Sequence, residues 1–316
     1  MIAGTLMLAA WAVELMLGWP DPLFRLLRHP VVWIGALIRT MEVRLNQPGL
    51  PFAARYTLGG VSVLIVIILA AGIAALVTRA LPDNGFGFVV EALIGSAFIA
   101  SRSLHAHVMA VARPLRAGDL ANARTAVSAL VGRDPTSLQR PGVARAALES
   151  LAENTSDGVV APIFWGVLFG LPGLVAYKAI NTLDSMLGHR NKRLAAYGGF
   201  AARLDDVANL VPARLTGMLL VMSAGSLAAW RVMIRDGRCH RSPNAGWPEA
   251  ALAGALGVRL SGPRVYGGQL SHEPWLNPGA RDPSAQDLWR GLAIYRRALA
   301  LGAVLLLGVA VAERTW

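Results

Sequence analysis

The chain has 316 residues, of which 54% are hydrophobic and 16% are charged, and its formal net charge is +11. Soluble domains usually carry about 25% charged residues, so this composition argues against a soluble protein and indicates a membrane protein. Arginines are spread over the loops, without the aromatic interleaving, zinc spacing or helix-turn-helix pattern of nucleic-acid-binding proteins, so we expect no nucleic-acid partner. Retention of basic loops on the cytosolic side of a membrane explains the charge better.

Six apolar segments approach the length of about 20 residues that a membrane-spanning helix needs. They lie at about 2–18, 57–79, 86–101, 158–178, 210–230 and 297–313. The first has no basic region ahead of it and contains Glu14, so we interpret it as a retained anchor helix rather than a cleaved signal. Cys239 is the one cysteine of the sequence and fits a reducing cytosolic loop.

Four loops are basic, at about 18–57, 102–157, 178–214 and 231–297. They cannot all lie on one side of a membrane if every apolar segment crosses once. The series Gly170-Leu171-Pro172-Gly173 interrupts the fourth segment with helix-breaking residues. We therefore expect a segment that is broken or re-enters the membrane, with a catalytic cavity beside it.

The fold that these patterns predict is all-α. It is a polytopic integral membrane helical bundle with a broken or re-entrant segment and cytosolic helical loops. We expect one domain over residues 1–316, with cytosolic helical insertions at about 102–157 and 231–296.

An amphipathic helix is predicted over residues 31–45, with Arg39 and Arg44 on its polar side. Arg28 and His29 precede this helix, and we expect them to form a compact positively charged point at the membrane surface.

We predict helices within residues 111–147, with Asp119 near the cap of one of them. Further along, a glycine-rich loop at 262–268 permits close approach of a bulky or anionic ligand to Gly267 and Gly268.

Three short blocks contain most of the polar side chains whose presence in such an apolar chain calls for a functional explanation. In the first, Glu149 and Glu153 are four residues apart on a predicted helix, so they share one face. Asn154 and Asp157 follow, where Gly158 permits the chain to turn. The block predicts one acidic edge.

The second block repeats polar residues every three to four positions, which predicts a polar helix edge. Its members are Lys178, Asn181, Asp184 or Ser185, and the ending Gly188-His189-Arg190-Asn191.

The third block places Asp205 and Asp206 four and three residues before Asn209, between Arg203 and Arg214. Two adjacent aspartates near a membrane indicate a bound cation. Oxygen ligands without histidine or cysteine clusters suit Mg²⁺, which takes one or two carboxylates together with substrate phosphates. The three blocks therefore predict a magnesium–phosphate site. The alternative is a set of solvated loop charges that balance nearby arginines.

Longer motifs resemble a known family. ESLAENTSDGVVAPIF, YKAINTLDSMLGHRN, ARLDDVANLVPARLTG and NAGWPEAALAGALGV, in this order, are similar to the adenosylcobinamide-phosphate synthase family of cobalamin biosynthesis, of the CobD/CbiB type. DPLFRLLRHPVVWIG near the start and the Gly132-Arg133-Asp134 segment resemble it too, so the resemblance covers nearly the whole chain.

The resemblance implies a multi-pass enzyme of the bacterial inner membrane with its active site facing the cytoplasm. It implies ATP and Mg²⁺ as cofactors, and adenosylcobyric acid and 1-amino-2-propanol phosphate, or the free aminoalcohol, as the substrates that are joined by an amide bond. A complex with other late cobalamin enzymes is also compatible with it, and the lipid membrane is the expected surrounding.

Individual roles follow from the chemistry of that reaction. Activation of the carboxylate as an acyl phosphate requires positioning and neutralisation of charge. We expect Mg²⁺ ligands at Glu153, Asp157, Asp184, Asp205 and Asp206. Orientation of the cofactor is expected from Asn154, Asn181, Asn209, Arg190, Arg203, Arg214, Gly267 and Gly268, and catalysis from His189 as the base with Lys178 and Glu149.

Two other functions fit parts of the pattern. Asn181xxAsp184 and Asp205-Asp206xxAsn209 also resemble the diphosphate-binding motifs of intramembrane prenyl or phosphatidyl transferases, which need no ATP. A membrane sensor related to the family is the third interpretation, although a sensor need not keep all three acidic blocks.

Overall fold

The computed structural model describes residues 3–19, 28–131, 134–188, 191–266 and 269–315, with side chains for all of these except 264–266, 269, 270 and 314. Helices dominate the described chain, which confirms the all-α class. The α-helices are α1 (Ala3–Leu17), α2 (Pro30–Leu45), α3 (Phe52–Ala80), α4 (Gly85–Ser96), α5 (Ser101–Arg116), α6 (Leu120–Val127), α7 (Arg140–Thr155), α8 (Ala161–Leu187), α9 (Gly199–Ala208), α10 (Leu210–Ala224), α11 (Leu227–Asp236), α12 (Gly246–Leu256) and α13 (Ala285–Thr315). The strands are β1 (Leu260–Ser261), β2 (Arg264–Tyr266), β3 (Gln269–Ser271) and β4 (Trp275–Leu276).

Four helical runs of the described chain are long and apolar enough to cross a membrane: Phe52–Ala80, Gly85–Arg116, Arg140–Leu187 and Ala285–Glu313. Helices α9 and α10 together form a bent fifth candidate, and α1 is a shorter apolar helix. The predicted multi-pass helical bundle with a broken segment is therefore confirmed.

The predicted break lies inside α8. Phe169 has φ −134° and ψ 15°, and Gly170 has φ 65° and ψ −157°, a conformation that residues with a Cβ rarely adopt. The backbone is also closely packed here, because a Cβ on Gly173 would lie 2.4 Å from the carbonyl oxygen of Trp165. Glycine is therefore required both at the break and just after it.

The chain divides into two units. Unit 1 contains Met1–Ala100, Ala161–Asn209 and Leu306–Trp316, and unit 2 contains Ser101–Val160 and Leu210–Leu305. The expectation of a single domain stays a prediction.

In unit 1, helices α2, α3, α8 and α9 bury a common core. The buried side chains are Ile38, Val63, Val66, Ala179, Leu183, Leu187, Tyr197 and Ala201. The exposure of Arg39 and Arg44 confirms the predicted amphipathic helix α2. Its buried Glu42 accepts two hydrogen bonds from Arg193, at 2.9 and 2.7 Å, and so anchors the segment that follows α8.

In unit 2, the core lies between α5, α7, α12 and α13. Its members include Val108, Val111, Ala147, Leu148, Leu151, Leu252, Leu256, Leu288 and Leu292. The predicted cap at Asp119 is confirmed, since its carboxylate accepts the backbone N–H of Asn122 at 3.0 Å at the start of α6.

The four strands form two short antiparallel pairs, β1 with β4 and β2 with β3. A glycine-rich loop is expected at 262–268, but a small hairpin begins there instead. The guanidinium carbons of Arg145 and Arg259 lie 4.5 and 4.3 Å from the centre of the Trp275 ring, and both arginines pair with Asp282. This stack stabilises a region whose strands are too short to be stable alone.

Candidate functional site

The three predicted polar blocks are divided between the two units. The first block lies on α7 and the turn after it, in unit 2. The second block and Asp205 to Asn209 of the third lie in unit 1, whereas Arg214 lies in unit 2. The convergence of all three blocks stays a prediction.

Asp157 lies in a π-helical turn, Ser156–Val160, which joins α7 to α8. The expectation that the chain turns away at Gly158 is wrong, because the helix widens there and continues. Single π-helical turns are rare, and they occur frequently at functional sites. The π-helical turn therefore supports a functional role for the first block, and residue spacing alone does not indicate it.

Glu149 is buried, and its Oε1 accepts the backbone N–H of Ser261 at 2.6 Å. Ser261 has a left-handed φ of 59°, so this carboxylate stabilises an unusual backbone conformation next to the hairpin. Asn154 donates its amide N–H to the carbonyl oxygen of Ser150 at 2.9 Å. No described residue donates to Asn154 Oδ1, which remains available to a ligand, and Glu153 beside it is exposed.

The second block forms a polar edge on the C-terminal part of α8. Lys178 Nζ donates to Asn181 Oδ1 at 3.4 Å, as expected for side chains three residues apart on a helix. The carboxylate of Asp184 packs against the backbone of Gly188, where a Cβ would lie 2.0 Å from Asp184 Oδ1. Glycine at 188 thus makes room for the Asp184 carboxylate at the end of the helix.

The third block is connected to α8 by two buried hydrogen bonds. Tyr177 Oη donates to Asn209 Oδ1 at 2.9 Å, and Asn209 Nδ2 donates to Asp205 Oδ2 at 3.0 Å. All three residues are less than 9% exposed. Asp205 therefore faces the interior of unit 1, while Asp206 is half-buried.

A cavity of about 440 Å³ lies beside the break in α8. Its walls are largely apolar and include Trp165, Phe169, Pro172, Tyr177 and Ala208. Tyr177 lines this cavity and also begins the hydrogen-bonded chain to Asp205. The cavity expected beside the break is present, and its catalytic role stays a prediction.

His29 lies close enough to Lys178 for the two groups to interact electrostatically. Burial lowers the pKa of His29, the positive charge of Lys178 lowers it further, and a hydrogen bond to the backbone of Ala97 opposes both. The Nδ1 atom of His29 accepts the N–H of Val31 at 3.3 Å and caps α2. The prediction of a cationic His29 is wrong, because both the burial and the cap favour the neutral ring.

Arg203 is exposed on α9. It donates to Tyr56 Oη at 2.7 Å, and its guanidinium carbon lies 5.5 Å from the centre of the Tyr56 ring. Stacking of this kind fixes the direction of the guanidinium group at the surface of unit 1.

Arg214 converges with Arg238, which lies outside the three polar blocks. Their guanidinium carbons lie 4.6 and 6.0 Å from the centre of the same buried ring, that of Trp247. Arg214 also lies 3.5 Å from Asn244 Oδ1. Among the described residues neither arginine pairs with a carboxylate, so the positive charge is available to an anion.

Four predicted site residues, His189, Arg190, Gly267 and Gly268, lie outside the described residues, as does Arg133. Within the described part of the chain, no three histidine, cysteine or acidic side chains form a closed metal site. The buried oxygen donors of Asp205 and Asn209 nevertheless fit Mg²⁺, which needs one or two protein carboxylates when substrate phosphates complete its coordination.

Similar proteins cover nearly the whole chain. A protein from Rhodobacter capsulatus, named "Cobalamin biosynthesis protein CobD", is 54% identical over 96% of both chains. Proteins of the same name from Sinorhizobium sp and Brucella suis biovar 1 are each 45% identical, over 96% and 92% of both chains. No solved structure matches the chain.

The family comparison agrees with these relatives. The model of the family described as CobD/Cbib protein matches residues 7–295, which include all three polar blocks, both arginines at Trp247 and the broken helix α8. The chain belongs to the CobD/Cbib protein family.

Proposed function

We propose that this protein is an ATP-dependent amide synthase of cobalamin biosynthesis. It joins the free carboxylate of adenosylcobyric acid to the amine of 1-amino-2-propanol phosphate and gives adenosylcobinamide phosphate. The observation that carries the proposal is the family match over residues 7–295, together with relatives named for cobalamin biosynthesis. The apolar helices support a location in the inner membrane, and the basic loops support a cytoplasmic active site.

The chemistry requires activation of a carboxylate, because its oxygen is a poor leaving group. Bound Mg-ATP would supply a phosphoryl group to that oxygen, so an acyl phosphate precedes attack by the amine. Such a transfer depends mainly on positioning and neutralisation of charge. The protein therefore needs fixed oxygen ligands for the cation and fixed positive groups for the phosphates.

Asp205 and Asn209 are the best-placed cation ligands of unit 1. Tyr177 fixes the amide of Asn209, and that amide in turn orients Asp205. A carboxylate held by buried hydrogen bonds loses little further freedom when it binds a cation. Asp184 and Asp206 extend this acidic surface within unit 1, and Lys178 provides a positive charge for a phosphate.

Unit 2 has its own set of candidate oxygen ligands, Glu153, Asn154 and Asp157. Arg214 and Arg238 form the second phosphate-binding element that we propose. Two guanidinium groups on one indole, with Asn244 beside them, suit the phosphate of the aminoalcohol. This assignment favours the phosphorylated amine over the free aminoalcohol as the substrate.

The deciding experiment uses the purified full-length protein in detergent with adenosylcobyric acid and Mg-ATP. Either 1-amino-2-propanol phosphate or 1-amino-2-propanol is added, and the corrinoid products are identified by mass spectrometry. We expect the amide product with the phosphorylated amine, together with ADP and phosphate. Release of AMP and diphosphate would exclude the acyl phosphate route. Turnover of a prenyl diphosphate without ATP, and no amide product, would favour a transferase instead.

A further inference from the structure

Unit 2 contains a cavity of about 530 Å³ between the C-terminal end of α5 and the first turns of α13. Its lining residues are Arg116, Gln286, Trp289, Arg290 and Ala293. The volume lies within the range of about 300 to 1,000 Å³ that is typical of ligand sites. Four of the five lining side chains carry N–H donors and none carries a carboxylate, so the cavity is suited to an anion.

Arg116 provides the clearest unused donor of the cavity, and it stacks on Trp289. The guanidinium carbon of Arg116 lies 5.5 Å from the centre of the Trp289 ring, and no described residue supplies a carboxylate partner for it. The indole Nε1 of Trp289 is shielded from solvent and has no hydrogen-bond partner in the described chain. The Trp289 ring therefore contributes its face, which positions the Arg116 guanidinium, rather than an N–H group that reaches the cavity.

Arg290 is held in place without being fully neutralised. It donates to Asp287 Oδ1 at 3.0 Å and to the carbonyl oxygen of Leu256 at 3.3 Å. Asp287 is 1% exposed and also accepts two hydrogen bonds of 2.7 Å from Arg281. One carboxylate is thus shared by two guanidinium groups, so this wall of the cavity keeps a net positive charge.

The cavity lies on the polar ends of two helical runs that contain candidate membrane spans. The run Gly85–Arg116 ends at one wall, and the run Ala285–Glu313 begins at the other. The apolar segments of these runs lie at about 86–101 and 297–313, so the cavity is on the aqueous side of them, where soluble phosphate compounds and the phosphates of anionic lipids are both present.

We propose that this cavity binds a phosphate group, carried by an anionic lipid headgroup or by a soluble phosphate compound. Arg116 and Arg290 supply the positive charge, and the Trp289 ring positions the Arg116 guanidinium. The site is distinct from the residues assigned to amide synthesis and does not rest on that function.

The test uses the delipidated full-length protein in a neutral detergent. Thermal unfolding is followed during titration with inorganic phosphate, with phosphatidylcholine, and with phosphatidylcholine that contains phosphatidylglycerol, because a ligand that binds the folded state raises the unfolding temperature. The variants are Arg116→Gln and Trp289→Phe. Arg113→Gln is the matched control, since Arg113 is exposed in the same last turn of α5 and does not line the cavity.

We expect Arg116→Gln to weaken binding by about tenfold and Trp289→Phe by a few-fold, while Arg113→Gln stays within about twofold of the parent protein. A response to phosphatidylglycerol but not to phosphatidylcholine identifies a lipid headgroup. A response to inorganic phosphate alone identifies a soluble ligand, and both results support the proposal. Binding that is absent, or that is the same in all three variants, overturns it, whether or not the protein makes an amide.

Discussion

The hydroxyl of Tyr177 donates a hydrogen bond of 2.9 Å to Oδ1 of Asn209, 32 residues further along the chain. Both residues are 1% exposed, so water does not compete for this bond. Because Oδ1 accepts from Tyr177, the amide N–H of Asn209 faces Asp205, at 3.0 Å. A tyrosine on the broken helix thereby orients the carboxylate that we propose binds Mg²⁺.

Tyr177→Phe should lower the rate of amide formation by at least about tenfold, because Asn209 loses the donor that fixes it. Its free energy of unfolding should fall by about 1 to 2 kcal/mol. Tyr295→Phe is a matched control, since Tyr295 is also fully buried and donates to the carbonyl oxygen of Ser101 at 2.9 Å. We expect a similar loss of stability there with unchanged turnover per folded protein. Equal turnover in both variants would show that Tyr177 is only structural.

Asp205→Asn keeps the size of the side chain and removes its charge, so the rate of product formation should fall by more than about a hundredfold. Any residual activity should require a higher Mg²⁺ concentration. The comparison is Asp119→Asn, where asparagine caps α6 as well as aspartate does and turnover should not change. Wild-type activity of Asp205→Asn, measured by mass spectrometry of the corrinoid product, would remove Asp205 from the site.

Gly170→Ala should destabilise the protein by about 1 to 3 kcal/mol, because alanine is strained at φ 65° and ψ −157°. Gly72→Ala provides the contrast. Gly72 lies inside α3, and a methyl group there would meet no atom within 4 Å, so alanine should be neutral or should stabilise the helix by up to about 1 kcal/mol. Thermal unfolding in detergent measures both. Similar unfolding temperatures for the two variants would argue against the break at Gly170.

The stability of the protein should depend on the protonation of His29. Its folded pKa lies below the ordinary value of 6.5, so its stabilising contribution is present above about pH 6.5 and is lost as the pH falls through the folded pKa. His29→Asn keeps a capping side chain for α2 and removes this titration. The loss of stability between about pH 7 and about pH 5 should therefore be smaller in His29→Asn than in the parent protein.

His107→Asn serves as the control for that experiment, because His107 is exposed on α5. It should keep the pH dependence of the parent protein. If His29→Asn follows the same curve as His107→Asn, the burial of His29 does not contribute to acid sensitivity.

Elements with a strong local signal can be predicted from the sequence. Gly170 and Pro172 cannot continue a regular helix, and Asp119 is a preferred capping residue, so the break in α8 and the start of α6 are both predictable. The amphipathic pattern of α2 is equally direct. In each case the relevant physics acts between residues that are close in sequence.

Features that depend on tertiary packing are not predictable in this way. The π-helical turn at Ser156–Val160 has no signature in residue spacing, and the left-handed Ser261 is held by Glu149, 112 residues earlier. Arg238 joins Arg214 through the position of Trp247, which the spacing of the polar blocks does not indicate. The residue types of the candidate site can be predicted from the sequence. Of its contacts, only those between residues of the same helix can be predicted.

The ion pair between Glu42 and Arg193 has a consequence for how the protein is made. The two residues are 151 positions apart, so at a synthesis rate of about 5 to 20 residues per second the ribosome adds Arg193 roughly 8 to 30 s after Glu42. Until then the Glu42 carboxylate lacks its guanidinium partner and keeps only the local hydrogen bond from Asn46 Nδ2, at 3.0 Å. This contact of α2 therefore forms late in synthesis, and a chain truncated before Arg193 lacks it.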